Sequence, residues 1–202
     1  MITLYHDPVS SNSWKVRLVL AEKRLPYREV RFDIRRARDQ PEYLAIHPYG
    51  QVPAIVDEGF AVYDSTLINE YLEDRYPEIP LMPPDAQGRA QIRMLEDYRD
   101  QHFHPDFLPL LRQLRDKPPG EADANLVETA WQAVMGRMAR LEAALEGRDY
   151  LGPSFSIADA AFVPNFAYLD NWKLAIPAQY PRLRAWFARC QARPSYARAY
   201  GL

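Results

Sequence analysis

Apolar and polar positions recur with two different periods along this chain, and the period changes near residue 80. Ile2 to Tyr5 is a short β-prone run, and a Pro/Ser/Asn cluster from Pro8 to Ser13 breaks it. Trp14 to Lys23 then places Trp14, Leu18 and Ala21 at helical spacing, with Val16, Val19 and Leu20 filling out the face. Pro26 ends that helix, and Tyr27 to Phe32 alternates apolar with charged residues as a half-buried strand does. The Arg-rich stretch Arg35 to Ile46 predicts a second, weaker helix. Pro53 to Asp57 and Phe60 to Tyr63 are short apolar runs joined by Glu58-Gly59, a hairpin signature. Asp64-Ser65 opens a patterned helix, Thr66 to Tyr76, with Leu67, Ile68, Tyr71 and Leu72 on one side. The predicted order is β-α-β-α-β-β-α.

Four prolines then fall within Pro77 to Pro84, which no helix can continue through. This segment reads as a linker, residues 79–85, between a first domain of residues 1–78 and a second of residues 86–202. The second half reads as helical throughout. Ala86 to Arg115 is one long segment kinked near Pro105 and Pro109. Asp123 to Leu145 carries a buried stripe of Leu126, Ala130, Val134, Met138, Leu141 and Leu145. A further helix starts at Ser156, and shorter ones follow Pro177 and Pro181. The fold class is α/β plus all-α.

Composition narrows the function. The formal net charge of −2 across 202 residues argues against a nucleic-acid binder. The single cysteine, Cys190, excludes an internal disulfide framework, a Cys-based zinc site and a dithiol redox pair. No apolar run approaches the ~20 residues that span a bilayer, and the first twenty residues lack the core of a signal peptide. The expectation is a cytoplasmic protein with no membrane and no nucleic-acid partner. Proline stands out: 18 of 202 residues, about 9% against a usual ~5%. Much of that excess separates helices. The run Arg182 to Arg198 holds five arginines and no acid, which reads as a solvated helix face.

Three short segments carry candidate chemistry. The turn after the first strand is Ser10-Ser11-Asn12-Ser13, where a thioredoxin-like redox protein would carry two cysteines. Hydroxyls cannot exchange disulfides, so a thiol at this turn would arrive with a ligand. A helix N-terminus favours anions, and a serine hydroxyl there can donate to a thiolate. Lowering a thiol pKa of ~8.5 by two units corresponds to about 2.7 kcal/mol. Ser and Asn are equally the preferred N-caps of any helix. Val52-Pro53 precedes a β-run, where a proline signals an edge position or a cis bond; a cis bond would turn the Val52 backbone groups outward for an added strand. Asp64-Ser65 either caps its helix or offers a carboxylate, a hydroxyl and backbone N–H groups to the ends of an amino acid.

With these residues in order, LYHDPVSSNSWKVRLVLAEKRLPY and HPYGQVPAIVDEGFAVYDSTLINEYLEDRYP resemble the N-terminal domain of cytosolic glutathione transferases. FSIADAAFVP resembles that family's helical capping element, with Ser156 as N-cap and Asp159 at N3. The resemblance implies a thioredoxin-like glutathione-binding domain, an all-helical domain, glutathione as co-substrate, no metal, and a homodimer. It assigns Ser10 to thiol activation, with Ser11, Ser13 and the strand residue Tyr5 as alternates. Ser11, Asn12, Gln51, Val52, Pro53, Asp64 and Ser65 fall on its glutathione-binding positions.

The electrophile would then meet His6 and Pro8 near the first turn, and Tyr98, His102 and Tyr168 in the helical half. Phe103, Phe107, Leu110, Leu111 and Leu114 are assigned to core. SSNSW is similar to the SSCSW run of the zeta class, which keeps a glutathione-dependent isomerase as an alternative, although Asn12 stands in the cysteine's place. The stretch from Val56 to Pro83 also resembles RNA polymerase-associated starvation proteins of the same fold, which lack the serine turn. The expected function is conjugation of the glutathione thiolate to a small hydrophobic electrophile.

Overall fold

The computed structural model describes residues 1–33 and 40–200. These divide into two compact units, one of Met1–Met82 with Ala192–Leu202 and one of Pro83–Gln191.

The first unit is built on a four-stranded sheet in the order β2-β1-β3-β4. β1 (Ile2–His6) pairs in parallel with β2 (Tyr27–Arg31), Ile2 opposite Tyr27. A parallel pair needs a crossover, and α1 (Ser11–Glu22) supplies it. β3 (Ala54–Asp57) runs antiparallel to β1, with Leu4 opposite Ile55, and β4 (Phe60–Tyr63) runs antiparallel to β3. Glu58 and Gly59 both take positive φ, 50° and 87°, which lets this two-residue hairpin turn follow the strand twist. The order of elements therefore follows the sequence pattern. α2 occupies Pro41–Leu44; the rest of the helix expected from Arg35 falls partly on residues 34–39, outside the described residues.

α1 starts three residues before Trp14, because Ser10 caps it, and every residue from Ser13 to Leu20 is buried. Covering on more than one side explains this: α3 (Ser65–Arg75) and α9 (Pro194–Tyr200) both pack against α1. Lys15 Nζ donates to Thr66 Oγ1 across the α1–α3 contact. Ile68 and Leu72 of α3 are fully buried, whereas Leu67, expected on the same face, is 58% exposed.

The proline-rich segment is tied down rather than loose. Lys23 Nζ sits 2.7 Å from Glu73 Oε2 and donates to the carbonyls of Tyr76 and Ile79. Glu73 in turn accepts from the backbone N–H groups of Leu81 and Met82. Both charges are buried, so their mutual pairing and these backbone bonds replace lost hydration. α9 returns to the first unit, which corrects the expected 86–202 span of the helical half. Arg193 forks onto Glu22 at 2.6 and 2.7 Å, Ser195 donates to the same carboxylate, and Trp14 packs on Tyr196 and Tyr200.

The second unit is helical. α4 (Ala86–Tyr98), a π-helical turn at Arg99–Phe103, α5 (His104–Leu110) and a second π turn at Leu111–Arg115 form the continuous segment that the sequence predicts to kink. Pro105 and Pro109 have no N–H for the carbonyls four residues earlier, and wider π turns flank them. α6 (Ala124–Ala144) buries Ala130, Val134, Met138 and Leu141, but Leu126 is 51% exposed and the stripe begins one turn later than expected. α7 (Ile157–Asn171) is central, with Phe162 meeting Phe103 edge-on at 5.4 Å and Phe166 meeting Trp186 at 5.2 Å. α8 (Pro181–Gln191) follows. No helix follows Pro177, where the chain only turns; the second short helix begins at Pro194.

At the head of α7, Ser156 donates through both its N–H and its hydroxyl to Asp159 Oδ2. Asp159 Oδ1 accepts from the Leu151 N–H and from Trp186 Nε1. Burial pushes the Asp159 carboxyl up from its ordinary value, while these four donors pull it back. No helix among the described residues is long and apolar enough to cross a membrane.

Candidate functional site

Three loops of the first unit project from the strand ends that the sequence marked. The turn from Asp7 to Ser10 joins β1 to α1. It is held by the Ser10 N–H on the Asp7 carbonyl (3.0 Å), by the Val9 N–H on Asp7 Oδ1 (3.0 Å), and by Arg17 Nη2 on the Pro8 carbonyl (3.2 Å). Ser10 sits at its end in an extended conformation, φ −83° and ψ 122°, as an N-cap should. Its Oγ accepts from the Ser13 N–H at 3.3 Å, a long bond. Among the described residues its hydroxyl proton goes to no acceptor. Ser11 is buried at 3% exposure; Asn12 is partly open. Ser13 Oγ is fully buried with no hydrogen-bond partner among the described residues.

The Val52-Pro53 peptide is cis. Neither the N–H nor the C=O of Val52 makes a hydrogen bond among the described residues, so both remain to pair with an extended ligand backbone. The neighbouring Gln51 is exposed, and its carbonyl is held by the Tyr43 hydroxyl. Tyr43 belongs to a cluster with Tyr5 (5.8 Å) and Phe32 (4.5 Å) under the loop, and burial pushes its hydroxyl well above the usual range. Tyr43 carries little signal in the sequence because it lies in the weakly patterned Arg35–Ile46 stretch. The signal was its spacing to His47, four residues on and packed on Tyr63 at 4.8 Å.

Asp64 has φ 72° and ψ 128°, outside the space most side chains accept. Its Oδ1 accepts from the Thr66 and Leu67 N–H groups at 2.9 and 3.3 Å. Ser65 is buried at 5% exposure, and its hydroxyl has no partner among the described residues. The strained residue thus lies where a strand hands over to a helix, and its own carboxylate takes the first backbone N–H groups of that helix.

The remaining candidates divide. Tyr5 lies in β1 with its ring inside the Tyr43–Phe32 cluster. His6 is fully buried, so its side chain offers no surface to a ligand, and neither ring nitrogen has a hydrogen bond among the described residues. Burial first, then the Arg17 charge, push its pKa down, against an opposing pull from Glu29. Pro8 is exposed. In the second unit, Tyr98 is 6% exposed and its hydroxyl is given to the Arg137 carbonyl, with Arg140 over its ring. His102 is exposed, and Tyr168 stacks on Trp172 at 5.2 Å. Phe103, Phe107, Leu110 and Leu111 are core, and Leu114 is half-buried. No group among the described residues is arranged to hold a metal ion.

Residues 4–80 match the family model of the glutathione S-transferase N-terminal domain, and residues 89–189 that of its C-terminal domain. Glutathione S-transferase 3 of Zea mays is 33% identical over 96% of this chain and 91% of its own. Maleylacetoacetate isomerase of Pseudomonas aeruginosa is 31% identical over 98% and 94%. The theta class glutathione S-transferase of Xanthomonas axonopodis pv. citri, solved with glutathione bound, superposes with a TM-score of 0.88 at 27% identity, covering all of this chain and 97% of the other. With a four-stranded thioredoxin-like unit, a helical unit and both domain models matched, the chain belongs to the glutathione S-transferase family.

Proposed function

We propose that this glutathione transferase generates the glutathione thiolate at Ser10 and adds it to a small hydrophobic electrophile, as a cytoplasmic homodimer. The observation that carries the reading is the Ser10 hydroxyl: its proton is uncommitted, and it stands at the N-terminus of a twelve-residue helix whose dipole favours an anion. A donated hydrogen bond and that dipole both stabilise S⁻ more than S–H, which lowers the thiol pKa. In this reading Val52 pairs with the cysteinyl backbone, beside Gln51 and Pro53. The γ-glutamyl end meets Asp64 and Ser65, where the Asp64 carboxylate suits the ammonium and the Ser65 hydroxyl suits the carboxylate. Ser11 and Asn12 flank the sulfur. Of the residues expected to meet the electrophile, Pro8 is exposed in the first unit, and in the second His102 is exposed and Tyr168 half-buried.

Calorimetric titration with glutathione, followed by conjugation of 1-chloro-2,4-dinitrobenzene, tests the reading. Binding should appear together with an upward thermal shift at millimolar glutathione; neither binding nor shift would overturn it. A second reading, glutathione-dependent isomerisation of the zeta type, is favoured by the SSNSW run and by the Pseudomonas relative. Asn12 weighs against it, since the zeta run carries cysteine there. Turnover of maleylacetoacetate without dinitrobenzene conjugation would decide for the isomerase.

A further inference from the structure

His6 closes β1, and the turn that carries Ser10 begins at the next residue. Alternate residues of a strand share a face, so His6 continues the buried side formed by Ile2 and Leu4, and its ring is fully enclosed. The charged groups that act on it are Arg17 of α1, Glu29 and Arg31 of β2, and Asp7 of its own turn. Its Nε2 lies 3.8 Å from Glu29 Oε2, beyond hydrogen-bond reach. That oxygen already accepts from Arg31 Nε and Nη2 at 3.3 and 3.1 Å. The imidazole is therefore a buried polar ring beside a committed carboxylate, and such a group calls for a reason.

Arg17 supplies one. It is 7% exposed, and helix side chains lean toward the N-terminus. From two turns down α1 it reaches back to the Pro8 carbonyl. Pro8 and Val9 are exposed, so the turn is held from beneath, by Asp7 and by Arg17. The Asp7 carbonyl and Oδ1 take their N–H groups at 3.0 Å. The Arg17 bond is 3.2 Å, long for a charged donor, whose usual range is about 2.7–2.9 Å. It is the link that yields first. A proton on His6 sets a second cation beside Arg17 where little water screens the two. Glu29 cannot serve the imidazolium without giving up Arg31.

We propose that Arg17 is a positioning residue for Ser10 and that His6 makes its grip acid-sensitive: beside neutral His6 it holds the Pro8 carbonyl and fixes the turn, and beside protonated His6 it lets the turn go. The movement follows from the charges beneath the turn; its effect on turnover rests on the reading of Ser10 as the thiol-activating residue. Burial and the Arg17 charge hold the His6 pKa below 6.5, so release belongs to mildly acidic solution.

The test follows the turn and the chemistry separately, on the full-length protein between pH 7 and pH 5. In ¹⁵N-labelled wild type the Val9 and Ser10 amide resonances should move with the titration of the His6 ring, and in His6→Gln they should stay. Both proteins share the ionisation of glutathione, so the ratio of their conjugation rates isolates His6. On acidification to pH 5, wild type should lose about threefold more dinitrobenzene conjugation than His6→Gln. Arg17→Met should lower kcat about tenfold at pH 7 with the glutathione KM within about twofold, and should lack the extra acid loss. Arg17→Lys, which keeps a charged donor, should recover part of kcat. Amide resonances that ignore the His6 titration would overturn the proposal, as would identical acid profiles in a protein whose turnover depends on Ser10. Amides that follow His6 while Ser10→Ala leaves turnover intact would instead overturn the Ser10 reading and leave the grip of Arg17 standing.

Discussion

Ser10 at the head of α1 and Ser156 at the head of α7 occupy the same N-cap position, one in each unit, and their surroundings treat the hydroxyl in opposite ways. Ser156 is 2% exposed and gives its proton to Asp159, which is itself saturated by the Leu151 N–H and the Trp186 indole. Every polar atom there has a partner inside the unit, so the cap is part of the core. Ser10 accepts one long bond from Ser13 and gives its proton to nothing among the described residues. The turn that carries it is nevertheless braced, through Asp7 and through Arg17 on the Pro8 carbonyl. A hydroxyl held in place with its donor unspent suits an incoming anion. The same residue in a closed network can only stabilise the fold.

The strongest way to break this contrast is Asp159→Ala. It strands the Trp186 Nε1, two backbone N–H groups and the Ser156 hydroxyl in a buried site, and should cost roughly 3 kcal/mol or more in urea unfolding. A loss below about 1 kcal/mol would show that the α7 network is not a core element. Ser10→Ala comes next, with the reverse signature. Turnover should fall about tenfold to a hundredfold, roughly 1.4–2.7 kcal/mol of barrier, while the glutathione Kd changes little. Turnover equal to wild type would move the role to Ser11, Ser13 or Tyr5. Ser156→Ala should cost about 1–2 kcal/mol of stability, as N-cap losses do, and leave kcat per folded molecule unchanged.

The smallest effect is on pH dependence, and the two units should differ in sign. Burial and the Arg17 charge lower the folded pKa of His6, and burial lowers that of His47. The unfolded chain then binds more protons, so stability is lost as pH falls below about 6.5 towards the lowered folded values. Asp159 acts oppositely: its folded pKa is raised, so its contribution is lost as pH rises through that value. Thermal melts of His6→Gln and His47→Gln between pH 7 and pH 5 should show flatter slopes than wild type. An unchanged slope would mean that neither histidine is linked to folding.

Much of the fold was legible because its signals are local. The Glu58-Gly59 hairpin, the Asp64 start of α3 and the Ser156–Asp159 pair each depend on residues within a few positions. The failures are of one kind. Leu126 and Leu67 sit at the right helical spacing, yet more than half of each stays exposed. Pro177 punctuates the chain without starting a helix. Tyr98 and His102 share a spacing, but Tyr98 is committed to the Arg137 carbonyl while His102 stays exposed. Periodicity shows which residues share a face; whether that face is covered depends on distant chain.

The sequence by itself determined the order of elements, the hydroxyl turn at Ser10 to Ser13, and the Val-Pro and Asp-Ser steps, because each is set by backbone preference over a few residues. Only the tertiary structure decided that Val52 keeps its backbone groups open, that Tyr43 grips the Gln51 carbonyl, and that α9 returns to pack on α1. It also decided which of two serine caps is closed and which keeps its proton. Lys23 meets Glu73, and Arg193 meets Glu22, across 50 and 171 residues of chain in turn. Such pairs form only when folding removes water from both partners at once, and spacing along the chain carries no record of that.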